Sequence, residues 1–270
     1  MQVFLWTTLI SVLLIQRSAG RMLVDQCGTS GIRSWLHYGA DAESEAAPWM
    51  AAIFNNESFL CGGTVIHRRF VLTAAHCIED QSHLFVKLGA YNKSNPTQEY
   101  NAIKGVIYRG YSKRNMEHDI GLLKLSQDIQ FGIDVYPICI SLDPEMKSRV
   151  EIIQKFDAYD WGSTEMERES QLLRKVRLYR LDHTTCDNFL RRPLTSNQLC
   201  IGSLDRDTCG GDSGGPLTKK VTVKGEQVQV QLGIHIFGKM RCDGERIYTD
   251  VSSYANWIER NVKSASLNSP

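Results

Sequence analysis

The chain has 270 residues, with 31 lysines and arginines against 30 aspartates and glutamates and a formal net charge of +1. Because positive and negative charges nearly balance, we expect neither a nucleic acid nor an anionic membrane as a partner. The length allows one large domain or two closely packed halves.

The amino-terminal segment is typical of a secretory signal peptide. Residues 3–15 form an apolar run too short to span a bilayer, and the small residues of 18–20 follow it. No basic residue precedes the run, and a buried or anchoring helix is the alternative. No second apolar stretch of membrane length follows. We expect residues 1–20 to be a signal peptide and the protein to be secreted and extracellular.

Two segments in the first half carry candidate catalytic groups. The sequence 72–77 reads Leu-Thr-Ala-Ala-His-Cys and offers His76, and the sequence 118–125 offers Asp119 at the head of an apolar strand. The neighbouring His118 would face the opposite side of an extended strand, so we interpret it as structural. A histidine base oriented by a carboxylate is the pair that activates a hydroxyl nucleophile.

The nucleophile is predicted in the run 207–216, which reads Asp-Thr-Cys-Gly-Gly-Asp-Ser-Gly-Gly-Pro. Glycines allow the backbone to turn tightly and to bring its N–H groups close to a reacting atom. The run therefore predicts an exposed Ser213, with the N–H groups of Gly211 and Ser213 directed at the oxyanion of an acyl transfer. A surface turn without chemistry is the alternative.

Short strands separated by turn residues predict antiparallel sheets. In 227–236 the apolar residues alternate on one face, and 175–181 reads similarly, with Val176 and Leu178 on one side. Near the end the period changes to that of a helix, with Ser252 or Ser253 as its N-cap. The apolar stripe of that helix contains Tyr254, Trp257, Ile258 and Val262.

Eight cysteines in a secreted chain indicate disulfides, although spacing alone leaves 105 pairings. The sequence has no CxxC pair and no HExxH helix, so we expect no metal site and no cofactor. Asn56 and Asn92 begin Asn-x-Ser triplets and are predicted glycosylation sites in a secreted chain.

From about residue 36 to 262 the chain resembles the chymotrypsin/trypsin-like serine proteases, and among them secreted insect-type members with a disulfide-tethered light chain. The chain order His76, Asp119, Ser213 is similar to theirs. The resemblance implies an all-β fold of two packed six-stranded antiparallel β-barrels with a C-terminal helix. It also implies that His76 is the base and then the acid, that Asp119 orients it, and that Ser213 attacks.

The resemblance further implies a disulfide pattern and a zymogen. A signal peptide (1–20), a propeptide or light chain (21–35), a protease domain (36–262) and a tail (263–270) would follow one another. Cleavage would free an amino group that pairs with Asp212, and the matching start here is Leu36, preceded by Trp35 rather than by arginine. The implied disulfides are Cys61–Cys77, Cys186–Cys200, Cys209–Cys242 and Cys27–Cys139.

The substrate pocket departs from the usual pattern. Asp207 matches the residue that pairs with substrate arginine or lysine, and Thr208, Phe237 and Gly238 would also contact substrate. Arg246 stands where glycine is usual on the pocket wall. It could pair with Asp207 and fill the pocket, shift the preference toward acidic or small residues, or turn outward to solvent.

These observations predict a serine-type endopeptidase that cleaves after basic residues. A catalytically weak homologue that acts as a binding or regulatory module in a protease cascade is the alternative, and an esterase is disfavoured because the chain order His, Asp, Ser differs from that of the α/β-hydrolases. The expected partners of a monomer are a protein or peptide substrate, an activating protease and a serpin-type inhibitor.

Overall fold

The computed structural model of the chain describes residues 20–29, 47–56, 58–162, 170–203, 212–238 and 244–267. Several predicted features lie outside these ranges and are not described further. They are residues 1–19 of the predicted signal peptide, Leu36, Asp207, Thr208, Gly211 and the pair Cys209 and Cys242.

The first half of the chain forms a closed antiparallel barrel with the strand order β1-β2-β3-β6-β5-β4. Its interior is filled by branched aliphatic side chains such as Ile53, Val65 and Leu72, none of which is exposed. Such residues favour the pleated, buried surface of a strand. The strands are β1 (Met50–Asn55), β2 (Ser58–His67), β3 (Phe70–Thr73), β4 (Phe85–Leu88), β5 (Gln98–Ile107) and β6 (Gly121–Leu125).

The second half forms another closed antiparallel barrel, with the order β10-β11-β12-β9-β8-β7. The predicted alternation in 227–236 lies on β11, and Val176 and Leu178 of β8 are buried as expected. The strands are β7 (Lys155–Asp160), β8 (Arg174–Arg180), β9 (Gln198–Gly202), β10 (Pro216–Val223), β11 (Glu226–Gly238) and β12 (Glu245–Asp250).

β11 is buried on both faces, which its alternating sequence does not predict. The polar side chains of Gln229 and Gln231 are only 2% exposed. The Thr64 hydroxyl of β2 donates to the Gln231 amide oxygen at 2.6 Å, so this face of β11 meets the first barrel. A buried polar group is tolerated when it is hydrogen-bonded, and here the bond joins the two barrels.

In the described ranges, three α-helices accompany the barrels: α1 (Met146–Ile152), α2 (His183–Leu190) and α3 (Ala255–Leu267). The apolar stripe of α3 is confirmed, since Ile258 is fully buried. The predicted serine N-cap is wrong. A 3-10 turn (Val251–Tyr254) precedes α3, and Asp250 caps it by accepting from the Ser252 N–H. The hydroxyls of Ser252 and Ser253 instead donate to Asp250, whose carboxylate is the stronger acceptor.

The amino-terminal segment 20–29 packs on the body of the protein. Leu23 N–H donates to the Ile140 carbonyl at 2.9 Å, and Cys27 is disulfide-bonded to Cys139. Gly28 has φ +67°, and a Cβ there would lie 2.8 Å from the Cys139 sulfur, so only glycine fits. The described residues contain two further disulfides, Cys61–Cys77 and Cys186–Cys200, and all three pairs are those that the resemblance implies.

The fold class is confirmed: two closed six-stranded antiparallel barrels are followed by a C-terminal helix. Within the described ranges, no helix has both the length and the apolar character needed to cross a bilayer. The two barrels meet along β2 and β11, and the candidate catalytic residues lie in the loops at this junction.

Candidate active site

His76 and Asp119 meet because their strands are paired. His76 lies in a 3-10 turn (Ala75–Cys77) that follows β3, Asp119 lies just before β6, and Thr73 pairs with Gly121. The Asp119 carboxylate accepts from the His76 backbone N–H at 2.9 Å and lies 2.6 Å from the ring Nδ1. Asp119 is fully buried, so its charge is compensated mainly by these hydrogen bonds.

Residues outside the predicted site hold Asp119 in place. The Thr249 hydroxyl of β12 donates to the Asp119 carbonyl at 2.9 Å. His118 has φ +53° and its Nδ1 lies 2.8 Å from the Tyr254 hydroxyl, which ties the aspartate loop to the start of α3. The structural role predicted for His118 agrees with this contact. The sequence gives no signal for Thr249, because the contact joins residues 130 positions apart.

Ser213 lies in a tight turn between the two barrels. Gly62 N–H of β2 donates to the Ser213 carbonyl, and Gly214 N–H donates to the His235 carbonyl of β11, both at 2.8 Å. Gly214 has φ +81°, and a Cβ there would lie 2.2 Å from the Thr73 hydroxyl. The glycine after the serine is therefore required by both the backbone conformation and the space available.

The Ser213 hydroxyl donates to the carbonyl oxygen of Ile236 at 3.2 Å. A hydroxyl has one proton, so in this arrangement that proton is not directed at Nε2 of His76. The acceptor is a backbone carbonyl, so this contact does not depend on the side chain at position 236. The contact between His76 and Asp119 is therefore formed, whereas the Ser213 hydroxyl is bound to the Ile236 carbonyl.

Asp212, the predicted partner of a freed amino group, is held by a neighbouring loop. Its Oδ2 accepts from the Trp161 backbone N–H at 2.5 Å. The preceding Asp160 accepts from the Gly162 N–H at 3.0 Å, so consecutive residues of one segment hold both carboxylates. This segment, which follows directly on β7, was not among the predicted site residues.

Arg246 of β12 is buried, with 1% of its surface exposed. The alternative in which its side chain turns outward to solvent is therefore wrong. Its surroundings include the buried Asp160 carboxyl and Tyr248 hydroxyl. Burial raises the pKa of Asp160 to about 6, and the guanidinium of Arg246 acts in the opposite direction by favouring the charged carboxylate.

His235 of β11 is a buried titratable group that sequence reasoning missed. It is 5% exposed, and its ring centroid lies 5.1 Å from that of Tyr248. Burial, reinforced by the nearby Arg246 charge, lowers its pKa to about 3, so the ring is neutral at physiological pH. The apolar face predicted for β11 contains Ile234 and Ile236, and His235 falls on the other face, so the alternation gave no signal for its burial.

Two of the predicted substrate-contacting residues end β11. Phe237 is half-buried, and its ring lies 6.3 Å from that of Phe189 on α2. At Gly238 a Cβ would lie 2.9 Å from the Glu245 carbonyl and 3.0 Å from the Arg246 Cγ. Glycine at this position therefore lets β12 and the Arg246 side chain approach closely.

One group of potential metal ligands occurs in the part of the chain that is described. Ligand atoms of Cys61, His76 and Cys77 lie within 4.8 Å of one another. Both sulfurs are in the Cys61–Cys77 disulfide, so neither supplies the thiolate that a metal requires. The histidine is already bound to Asp119, and this donor set does not fit a metal ion.

Comparison with known proteins defines the class. The trypsin family model matches residues 37–258, and the chain belongs to this family of serine proteases. The match agrees with the barrels, the His76–Asp119 pair and the serine turn described above.

Among curated proteins, serine protease grass of Drosophila melanogaster is 32% identical over 256 residues, which is 85% of this chain and 68% of that protein. Clotting factor G beta subunit of Tachypleus tridentatus is 31% identical, covering 89% of this chain and 84% of that protein. The crystal structure of the Drosophila Grass clip serine protease of the Toll pathway has a TM-score of 0.74 and 28% identity, covering 94% of this chain and 78% of that one.

The buried His235 predicts a specific pH dependence of stability. In the unfolded chain, His235 has its ordinary pKa of about 6.5 and binds a proton below that pH. In the folded protein its pKa is about 3, so the ring stays neutral down to about pH 3. Its contribution to stability is therefore present above pH 6.5 and is lost as the pH falls toward 3, by up to about 1.4 kcal/mol per pH unit. Urea unfolding of Ser213→Ala protein, with disulfides intact, should show this slope.

The control is His235→Leu in the same background. Other titrating groups are common to both proteins, so the difference between their unfolding free energies isolates His235. The free energy of unfolding of the variant should increase relative to that of the parent as the pH falls from 6.5 to 4. Parallel profiles would show that the folded ring is protonated normally.

Proposed function

We propose that this protein is a secreted serine endopeptidase, made as a zymogen, that cleaves peptide bonds through an acyl-enzyme. The observation that carries the proposal is the contact of the buried Asp119 carboxylate with both the backbone and the ring of His76, next to the turn of Ser213. Membership of the trypsin family supports a hydrolase.

In the proposed mechanism, Asp119 holds the proton of His76 on Nδ1 and leaves Nε2 free to accept. Rotation of the Ser213 side chain directs its proton to Nε2 as the oxygen attacks the scissile carbonyl. The buried carboxylate then stabilises the imidazolium, and the N–H groups of Gly211 and Ser213 would bind the oxyanion. His76 next protonates the leaving amine, and water completes the cycle by the same steps.

The observed geometry supports a latent precursor. The Ser213 hydroxyl is directed at Ile236, and Asp212 is bound to the Trp161 N–H. An activating protease would cut between Trp35 and Leu36, and the new amino group would take Asp212 as its partner. The light chain 21–35 would stay attached through Cys27–Cys139 and through the backbone contacts of segment 20–29.

The regulatory alternative has one observation in its favour. The same Ser213 orientation, together with a buried Arg246 beside the serine turn, is what a catalytically weak homologue would also have. Two relatives have names that refer to phenoloxidase activation and to clotting. They are phenoloxidase-activating factor 1 of Holotrichia diomphalia and the clotting factor G beta subunit. We propose that this chain also takes part in a protease cascade, as a monomer controlled by a serpin-type inhibitor.

We propose cleavage after arginine or lysine, set by Asp207 and restrained by Arg246. Because Arg246 is buried beside Asp160, its guanidinium occupies the interior of the second barrel near the serine turn. A positive charge there disfavours a basic substrate side chain and favours an acidic one. The preference for basic residues is therefore expected to be weaker than an unobstructed Asp207 would give.

The proposal of secretion draws support from the three disulfides, which form and persist in oxidising compartments. Of the two proposed glycosylation sites, Asn56 is exposed at the turn between β1 and β2. The side-chain oxygen of Asn92 instead accepts from the Ser94 N–H at 2.9 Å. We therefore expect Asn56 to be modified more completely than Asn92.

The nucleophile is tested by Ser213→Ala. This variant should lose peptidase activity by about a millionfold and should not react with an organophosphorus or sulfonyl serine reagent. Its melting temperature should stay close to that of the parent, because the one contact of the hydroxyl among the described residues is the weak hydrogen bond to Ile236. Activity within tenfold of the parent would exclude the mechanism, and an activated parent that the reagent does not label would favour the regulatory alternative.

Maturation is tested by mass spectrometry of the activated protein. The heavy chain should begin at Leu36, and the fragment ending at Trp35 should be released only on reduction, because Cys27 ties it to Cys139. A Cys27→Ser/Cys139→Ser control should release it without reductant. Full activity from a heavy chain that begins at Ser34 would contradict the proposed pairing of Leu36 with Asp212.

The pocket is tested with Arg246→Gly on matched peptide substrates that end in arginine or aspartate before the scissile bond. If Arg246 restrains the pocket, kcat/KM after arginine should rise at least about tenfold, equivalent to about 1.4 kcal/mol. Removing one partner of a buried pair destabilises a protein, so Arg246→Gly/Asp160→Asn serves as the charge-matched control. Unchanged cleavage after arginine in both variants would show that Arg246 does not affect substrate binding.

A further inference from the structure

The side chain of Ile78, two residues after His76, lies in a slot between β5 and β6. Ile78 is 8% exposed and belongs to the hydrophobic core of the first barrel. Both strands carry a glycine where they contact it, Gly105 on β5 and Gly121 on β6. We call this space the Ile78 slot. None of the three residues that form it was among the predicted site residues.

The space for Ile78, and not the backbone conformation, requires glycine at both positions. A Cβ at Gly121 would lie 2.6 Å from the Ile78 Cδ1, and a Cβ at Gly105 would overlap its Cγ2. Neither glycine has a positive φ, so the backbone at each position is compatible with a side chain. The two strands are therefore shaped to receive one branched side chain.

The Ile78 slot connects the turn that holds His76 to the strand that follows Asp119. Gly121 is two residues beyond Asp119, and a Cβ at Gly121 would lie 3.5 Å from the Ala75 Cα of the turn. The Ile78 N–H donates to the Ala75 carbonyl at 2.9 Å and closes the turn. Ile78 therefore packs on β6 with its side chain while its backbone holds the turn of His76.

Other contacts attach this turn to different parts of the barrel. The Cys61–Cys77 disulfide joins it to β2, and the His76 N–H joins it to the Asp119 carboxylate. Ile78 attaches it to β5 and β6, and a β-branched side chain has little freedom to change its rotamer. The 2.6 Å contact of His76 Nδ1 with Asp119 depends on where the turn lies. A misplacement of about 1 Å caused away from the chemistry can lower a rate by about 10²-fold.

We propose that Ile78 is a positioning residue, which fixes the His76 ring against Asp119 by filling the slot between Gly105 and Gly121. Because Ile78 is buried, it acts through the backbone of the turn and not by contact with substrate. Its effect on catalysis rests on the proposed endopeptidase function, whereas its effect on the hydrogen bond between His76 and Asp119 does not. A disturbed slot should therefore lower kcat and leave KM nearly unchanged.

The test exchanges one methyl group across the slot. Gly121→Ala places a Cβ against the Ile78 Cδ1, while its next neighbours, the Val106 carbonyl oxygen and the Ala75 Cα, lie at ordinary contact distances of 3.4 and 3.5 Å. On a peptide with arginine before the scissile bond, kcat of the activated variant should fall at least about tenfold, with KM within about twofold. Ile78→Val removes Cδ1, so Ile78→Val/Gly121→Ala should regain kcat to within about threefold of the parent. Such non-additivity identifies a direct contact, and an equal loss in the double variant would overturn the proposal.

A second readout does not require activity. In Ser213→Ala protein, the proton on His76 Nδ1 should give a far-downfield NMR resonance, because a short hydrogen bond to a carboxylate deshields it, and its loss in His76→Ala assigns it. The resonance should shift or broaden in Gly121→Ala and return in Ile78→Val/Gly121→Ala. If it does so while the activated parent is inactive, the proposed function fails and the positioning role stands. A parent without the resonance, or variants with an unchanged one, would overturn the positioning role.

The matched control compares Ile78→Ala, which empties the slot, with Ile129→Ala. Ile129 is 3% exposed and belongs to the same core. Its N–H donates to the Arg68 carbonyl, which precedes β3, whereas His76 follows the other end of that strand. Both variants should lower the melting temperature, but kcat should fall at least about tenfold in Ile78→Ala and stay within about twofold in Ile129→Ala. Equal losses would overturn the proposal, and this pair decides it if Gly121→Ala does not fold.

Discussion

The arrangement of the candidate site depends on one constraint, the fixing of the serine turn between two barrels. β2 holds this turn through the Gly62 N–H, and β11 holds it through the His235 carbonyl. A Cβ at Gly62 would lie 3.2 Å from the Gly215 Cα, so the turn and the strand are in direct backbone contact. Because the first barrel also holds His76 and Asp119, docking of the barrels decides whether the three groups meet.

The second barrel has an unusually polar interior beneath this turn. Asp160, His235 and Arg246 are all buried there, close to Tyr248. Burying charges is costly unless they compensate one another, and removing one partner leaves an uncompensated buried charge. The segment from Asp160 to Gly162 also holds Asp212 through the Trp161 N–H. This segment therefore contacts both the buried Asp160 carboxylate and Asp212 of the serine turn.

Charge is distributed differently on the outer surface of the same barrel. β7 alternates inward and outward residues, so Phe156 and Ala158 fill the core while Lys155 and Asp157 lie on the outer face. The same strand then ends in the buried Asp160 beside Arg246. One strand thus places charged side chains both on the outer face of the barrel and in the interior beneath the serine turn.

Local pattern was sufficient for the features that depend on neighbours in the chain. The glycine-rich run around Ser213, the alternation in β8 and β11, the stripe of α3 and the identity of His76 and Asp119 could all be recognised, because turns, strands and helices impose short-range periods. The N-cap of the 3-10 turn before α3 was missed because Asp250 belongs to the preceding strand, where its capping role is not visible in the sequence.

The sequence by itself determined the fold class, the chain order of the candidate catalytic residues and the membership of the trypsin family. Only the tertiary structure decided that Arg246 is buried, that the Ser213 hydroxyl is directed at Ile236, and that Ile78 lies between glycines of two neighbouring strands. These features depend on strand register and barrel docking, which bring together residues far apart in the chain. The glycines of β5 and β6 give no signal of this contact in the sequence, because the space that they leave is a property of the folded chain.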